Sequence, residues 1–337
     1  MNNLTALNQT GNSVNIFRKI FSYRETTVLL VIVVLSAILA IVSPHFLTSS
    51  NLSTTALGLA SDGIMAIGMC LVLLTGGIDL SVGSVMAASM VITGVLYLNF
   101  GVNIWLTSLI AIAYSVFCGF INGIFIGKIG LNAMITTLAM MNMSRGVAYV
   151  LSQGSPVSLP EPGEAFTFLG AGNVFGVPMF VIILVIIAVI ASYLLNNMGF
   201  MRKIYYTGSN QKAAMLSGIN TSKVKMGVYI ASAVLAGLAG VLSLARFKVA
   251  TPNAGVSSEL RVISACIIGG TSLIGGEGSV IGAVLGVVML NIINNGLVLL
   301  NVSVYWQSLI SGLILLIAVT IDFLSQERKQ KARLQSK

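Results

Sequence analysis

Two carboxylates stand in parts of the chain that are otherwise apolar. Asp62 lies in the run ALGLASDGIMAIGMCLVLL, residues 56–74. Asp79 lies in LLTGGIDLSVGSVMAASM, residues 73–90, between Gly76-Gly77 and the next apolar run. A carboxylate at membrane depth is costly and rarely sits there without a role. Two chemistries fit. One is carriage of a proton or ion at an interrupted helix. The other is capping, in which the carboxylate accepts from the free amides at a helix start. Asp79 immediately precedes an apolar run, and capping is the expectation there. Asp62 stands mid-run, so it either faces a water-filled path or bonds a neighbouring hydroxyl. Asn122 and Asn295 raise the same choice, as do Asn132, Asn142, Asn291 and Asn294. Amides at this depth stitch helices together or line a polar path.

Other chemistry is missing from the sequence. His45 is the single histidine, and Cys70, Cys118 and Cys266 lie in apolar runs without ligand spacing. They read as small buried hydrophobes, so neither a metal nor a cofactor is expected. The chain has no G-x-x-x-x-G-K-[ST], no G-x-S-x-G and no H-E-x-x-H. It is therefore expected not to be an enzyme, and a transporter driven by ATP would need a separate ATPase subunit.

A third stretch is polar rather than charged-in-oil: YYTGSNQKAAMLSGINTSKVK, residues 205–225. Asn210 suits an N-cap, QKAAMLS is strong helix-forming sequence, and Gly218 can take the left-handed conformation that stops a helix. The pattern predicts a two-turn helix over Gln211–Ser217, lying along the membrane surface. Ala213, Ala214 and Ser217 would leave a low face for a partner, with Met215 and Leu216 as apolar handles. A plain interfacial helix tucked among lipid headgroups is the alternative.

The elements that position these residues follow from composition. Of 337 residues, 56% are hydrophobic and 8% charged, with mean hydropathy +0.97. Soluble domains carry about 25% charged residues, so the chain reads as an all-α integral membrane protein. Apolar runs predict ten transmembrane helices near 27–44, 55–75, 80–97, 104–127, 130–151, 177–195, 226–245, 262–275, 279–300 and 304–322. The eighth is short and is expected to break in the Gly-rich segment after it. The first run follows 26 mostly polar residues and precedes no A-x-A site, so it reads as a retained span. The formal charge is +9. With both termini in the cytoplasm, only Arg145, Arg246, Lys248 and Arg261 of 18 Lys and Arg fall on the outer side. That is the positive-inside bias, and it accounts for the basic balance without nucleic acid. The resulting division is a cytoplasmic segment 1–26, a transmembrane domain 27–322 with a cytoplasmic loop 196–225, and a basic cytoplasmic tail 323–337. Gly-Gly followed by Gly-Ser-Val recurs at Gly83–Val85 and Gly278–Val280, which hints at an internal repeat of a broken-helix motif.

Four stretches carry a family resemblance: GGIDLSVGS (76–84), NAMITTLAMMNMSRGVAYVLSQGSPV (132–157), GSNQKAAMLSGI (208–219) and ELRVISACIIGGTSLIGGEGSVIG (259–282). In order and spacing, over about residues 26–325, the chain resembles the permease subunits of bacterial monosaccharide ABC importers of the ribose and arabinose type. These belong to the broader family that includes branched-chain amino acid permeases. The resemblance implies a type II importer-like fold in the bacterial inner membrane. It implies a pentose or related sugar as cargo. Its implied partners are an ABC ATPase subunit, a periplasmic or lipid-anchored sugar-binding protein, and a second permease copy or paralogue. It also implies that Asn210, Ala213, Ala214 and Gly218 belong to a coupling helix that inserts into a cleft of the ATPase. Asp62, at a position usually neutral in such permeases, and Glu277, at a variable one, depart from the pattern. Two rivals stand beside this reading: a proton-coupled secondary transporter using Asp62 or Asp79, and an energy-independent channel.

Overall fold

The structure, a computed structural model, describes residues 24–335. It is built from thirteen α-helices: α1 Arg24–Val42, α2 Ser49–Leu74, α3 Val82–Phe100, α4 Ile104–Gly123, α5 Ala133–Ser152, α6 Glu164–Ala171, α7 Met179–Asn197, α8 Gly199–Ser209, α9 Gln211–Leu216, α10 Thr221–Phe247, α11 Ser258–Ile268, α12 Val280–Leu299 and α13 Val304–Gln335. A π-helical turn, Ile124–Ile129, extends α4. Four two-residue strands, β1 Val157–Ser158, β2 Asn173–Val174, β3 Val177–Pro178 and β4 Val249–Ala250, complete the set. Strand β1 pairs antiparallel with β4, and β2 pairs antiparallel with β3.

The core is the bundle of α2, α3 and α10. Helix α3 is buried without interruption from Val82 to Val95. Small residues let α4 approach α10 closely. Gly119, Gly123 and Gly127 recur every fourth residue along one face of α4 and its π-turn. A methyl group at them would lie 2.7 Å from Ile230 Cα, Met226 Cα and the Ser222 carbonyl oxygen respectively. Such a stripe is how helices pack where lipid removes the usual hydrophobic drive. Helices α1, α7 and α13 instead turn apolar side chains outward, among them Val33, Ile190 and Leu316, as a lipid-facing ring does.

Among the described residues, eight helices are long and apolar enough to cross a membrane. The ten predicted segments all appear as helices, and the two outside that eight explain the difference. Helix α5 has 20 residues but carries Thr136, Thr137, Asn142, Ser144 and Arg145. Helix α11 has 11 residues, too few to cross alone. It also lies earlier than the predicted 262–275, because Gly269-Gly270 ends it and Gly270 takes φ +92°. Helix α2 begins six residues before the predicted start, where Thr48 caps it. The segment 196–225 is shorter as a loop than expected, since α10 begins at Thr221 behind the Asn220 cap. Helix α13 runs on to Gln335, past its apolar span Val304–Leu324. Of the predicted N-terminal segment, residues 1–23 lie outside the described residues.

The proposed repeat is also out of register. Gly83–Val85 lies inside α3, whereas Gly278 and Ser279 precede α12. The helix starts correspond instead through Asp79-Leu80-Ser81-Val82 and Glu277-Gly278-Ser279-Val280.

Candidate functional site: a capped surface helix and a polar cavity

One face of the molecule carries the segment 153–178, the start of α2 and the end of α10. Leu159 N–H donates to the Lys248 carbonyl (2.8 Å), and Arg246 donates to the Leu57 carbonyl (2.8 Å). The opposite face carries α8, α9 and the end of α2.

Helix α9 is built as its sequence predicts at both ends. The Asn210 side chain accepts from Ala213 N–H at 3.0 Å. Gly218 takes φ +81°, and Ile219 N–H returns to the Ala214 carbonyl at 3.0 Å. The helix stops at Leu216 rather than Ser217. Its surface differs from expectation. Ala214, expected on the low outward face, is buried within its own chain. Ala213 and Ser217 are exposed, and the outward tip is Met215 and Leu216, the latter 91% exposed.

Helix α8, which sequence reading missed, connects this tip to the bundle. Tyr205 Oη donates to the Gly278 carbonyl at 2.9 Å. Gly276 N–H donates to the Leu74 carbonyl at 2.9 Å. A methyl group at Gly208 would overlap the Leu74 carbonyl oxygen and lie 2.7 Å from Gly276 N. Three backbones therefore meet without side chains between them: α8, the end of α2, and the segment before α12.

Asp79 sits deeper and is fully buried. Its Oδ1 accepts from Ser81 N–H (3.0 Å) and Ser81 Oγ (2.6 Å), and its Oδ2 accepts from Ser232 Oγ on α10 (2.9 Å). The capping expectation is modified rather than met in its simple form. Asp79 holds the amide of the residue preceding α3 and ties it to α10. Asn122 Nδ2 lies 3.3 Å from Ser81 Oγ, so this amide joins the same buried cluster from α4. Asn295 forms a reciprocal pair with Asn51, at 2.7 and 3.1 Å, that stitches α12 to the start of α2.

Asp62 behaves otherwise. Its Oδ2 accepts from Arg261 Nε at 3.1 Å, and both line a cavity of about 520 Å³. Helices α2, α11, α12 and α13 enclose it, with Asn291, Asn294, Gln307, Ser308 and Ser311 among its walls. Two other arginines on the same face are tied down: Arg145 donates to the Pro252 and Ala254 carbonyls, both at 2.7 Å, and Arg246 to Leu57. Among the described residues, no cluster of His, Cys, Asp and Glu could hold a metal ion.

A family model described as the permease component of branched-chain amino acid transport systems matches residues 51–319. The chain is 40% identical over 300 residues to the ribose import permease protein RbsC of Escherichia coli (strain K12), covering 88% of this chain and 93% of that protein. It is 38% identical over 289 residues to the ribose import permease protein RbsC of Bacillus subtilis (strain 168), covering 86% and 89%. The L-arabinose transport system permease protein AraH of Escherichia coli (strain K12) is 37% identical over 302 residues, covering 90% and 91%. No solved structure matches significantly.

Proposed function

Because the chain belongs to the family of branched-chain amino acid transport system permease components, we infer that it is the membrane-spanning permease subunit of an ATP-driven importer for a monosaccharide. The cargo is a pentose such as ribose or arabinose, or a related sugar, following the relatives' names. The observation that carries the ATP-driven reading is α9: a short, doubly capped helix that holds Leu216 out at 91% exposure. With the half-exposed Met215 beside it, Leu216 makes an apolar tip outside the bundle, which in this reading enters a cleft of the ATPase.

In this reading residues 198–220 and both termini face the cytoplasm, and residues 153–178 face the opposite side of the bacterial inner membrane. The basic residues along the chain support that orientation. Closure of two ATPase subunits displaces α9. Helix α8 passes the displacement through Tyr205 and Gly208 to the end of α2 and the segment leading into α12. Those two helices also wall the cavity at the far face. The partners are thus an ABC ATPase subunit, a sugar-binding protein that delivers cargo, and a second permease copy or paralogue.

A proton-coupled carrier has less support. Asp79 is fully buried and already accepts three hydrogen bonds, and Asp62 is paired with Arg261. Purification of the tagged chain from its native membrane, with identification of bound proteins, tests the reading. An ATPase subunit copurifying at a fixed ratio is expected; a chain that purifies without any ATPase contradicts it.

A further inference from the structure

We propose that the cavity between α2, α11, α12 and α13 is a binding station within a single permease subunit for a neutral, hydroxyl-rich solute. Asp62, Arg261, Asn291, Asn294 and Gln307 would make its polar contacts. The proposal rests on the sugar-import reading and names where in the chain the cargo is held.

The cavity has the size of a solute site. Its volume of about 520 Å³ lies within the roughly 300–1,000 Å³ typical of small-molecule pockets. Its charge also selects. Asp62 and Arg261 are its two charged residues, one of each sign, and they are paired at 3.1 Å. A site with balanced charge gives an ion no net attraction, but each member keeps hydrogen-bonding capacity. A carboxylate accepts through both oxygens, and a guanidinium has five N–H donors. Arg261 uses Nε on Asp62 and Nη2 on Ser258 Oγ, which leaves Nη1 and Asp62 Oδ1 available.

The amides point the same way. Among the described residues, the side-chain amides of Asn291 and Asn294 make no hydrogen bond within the protein, and both residues line the cavity. Each offers two donors and an acceptor at membrane depth. Their neighbour Asn295, by contrast, is consumed by Asn51. Polar groups left open in an apolar bundle cost free energy unless water or a ligand meets them. A sugar, with several hydroxyls that both donate and accept, matches amides, carboxylate and guanidinium together.

The lining also limits affinity. Its apolar members are Leu260, Leu290, Val304, Ile314 and Leu315, and no aromatic ring is among its walls. Without a stacking platform a sugar is held by hydrogen bonds alone. A transport station has to bind well enough to admit its cargo and weakly enough to release it.

The test uses the complex of permease, ATPase and binding protein in proteoliposomes without ATP. The probes are D-ribose and L-arabinose, and the reporter is Ser308→Cys with a membrane-impermeant maleimide. Labelling is read on the permease alone after the subunits are separated, where Cys70, Cys118 and Cys266 are buried. Without sugar the new thiol reacts. At a sugar level about ten times the site's Kd, only the free fraction reacts, so labelling slows about tenfold for at least one probe. Ser311→Cys, on the next turn of α13, serves as a second reporter should the first variant fail to assemble. In a second measurement Asn291→Ala/Asn294→Ala removes protection while leaving the reporter reactive. A thiol that never reacts, or reacts equally with and without a transported sugar, overturns the proposal. Failure of the wild-type complex to import either probe instead removes the pentose reading on which it rests.

Discussion

Leu216→Ala isolates the partner-docking role of α9 from its folding. Leu216 is 91% exposed at the end of α9, so truncating it removes no internal contact of weight. Surface changes of this kind alter stability by less than about 0.5 kcal/mol. If the tip enters an ATPase cleft, the same side chain becomes buried on assembly. Burial of a Leu side chain contributes roughly 1.5–3 kcal/mol. Loss of about 2 kcal/mol weakens binding about 30-fold, at 1.4 kcal/mol per tenfold. The assay is titration of the purified permease in nanodiscs with the purified ATPase subunit, alongside the thermal stability of the permease alone. The expected result is unchanged stability with ATPase affinity lowered about 30-fold. Unchanged affinity would refute docking through this tip and return α9 to the headgroup region. Ala214→Glu, the variant the bare sequence suggests, tests something else: Ala214 is buried in its own chain, so a Glu there would lift α9 from α8 and α10.

Three further outcomes follow from the packing. Asp79→Asn keeps an acceptor for Ser81 and a donor for Ser232 and should retain most uptake, whereas Asp79→Leu leaves buried donors unpaired at about 1–3 kcal/mol each and should lower the yield of folded protein; loss of uptake by Asp79→Asn at normal abundance would contradict a structural role. Gly208→Ala drives a methyl group into the Leu74 carbonyl and should cost at least about 1–3 kcal/mol in thermal unfolding, while Gly227→Ala, with nothing within 4 Å, should be neutral or stabilising. A double-mutant cycle on Asn51 and Asn295 should give a coupling near 0.6 kcal/mol, the average for hydrogen bonds between membrane helices, and zero coupling would show that the pair is not formed.

The helices were legible because apolar runs of span length leave little choice. Asn210 and Gly218 mark the ends of α9 by chemistry that acts over three or four residues, whereas the Thr48 cap went unread and α2 starts six residues earlier than expected. What was illegible depends on contacts distant in sequence. The partner of Asp62, Arg261, is 199 residues away, and no local pattern joins them. The four basic residues on the far face looked like a residue of the orientation bias, yet Arg145, Arg246 and Arg261 are each held by internal acceptors. Ala214 could not be assigned a side from sequence, because a six-residue helix shows less than two turns of periodicity. Helix α8 was read as loop, since its basic residues and Gly208 obscure a strongly two-sided pattern. The echo between the two Gly-rich segments was matched on Gly-Ser-Val, where the correspondence that aligns the helix starts is acidic-x-Ser-Val.

Uptake of labelled ribose or arabinose into proteoliposomes tests the central claim most directly. The vesicles contain the permease with its copurified ATPase subunit, the binding protein is supplied outside, and ATP or an imposed proton gradient is varied. The account predicts accumulation that requires both ATP on the ATPase side and the binding protein, with no response to the proton gradient. Accumulation driven by the proton gradient without ATP, or rapid equilibration needing neither, would contradict it.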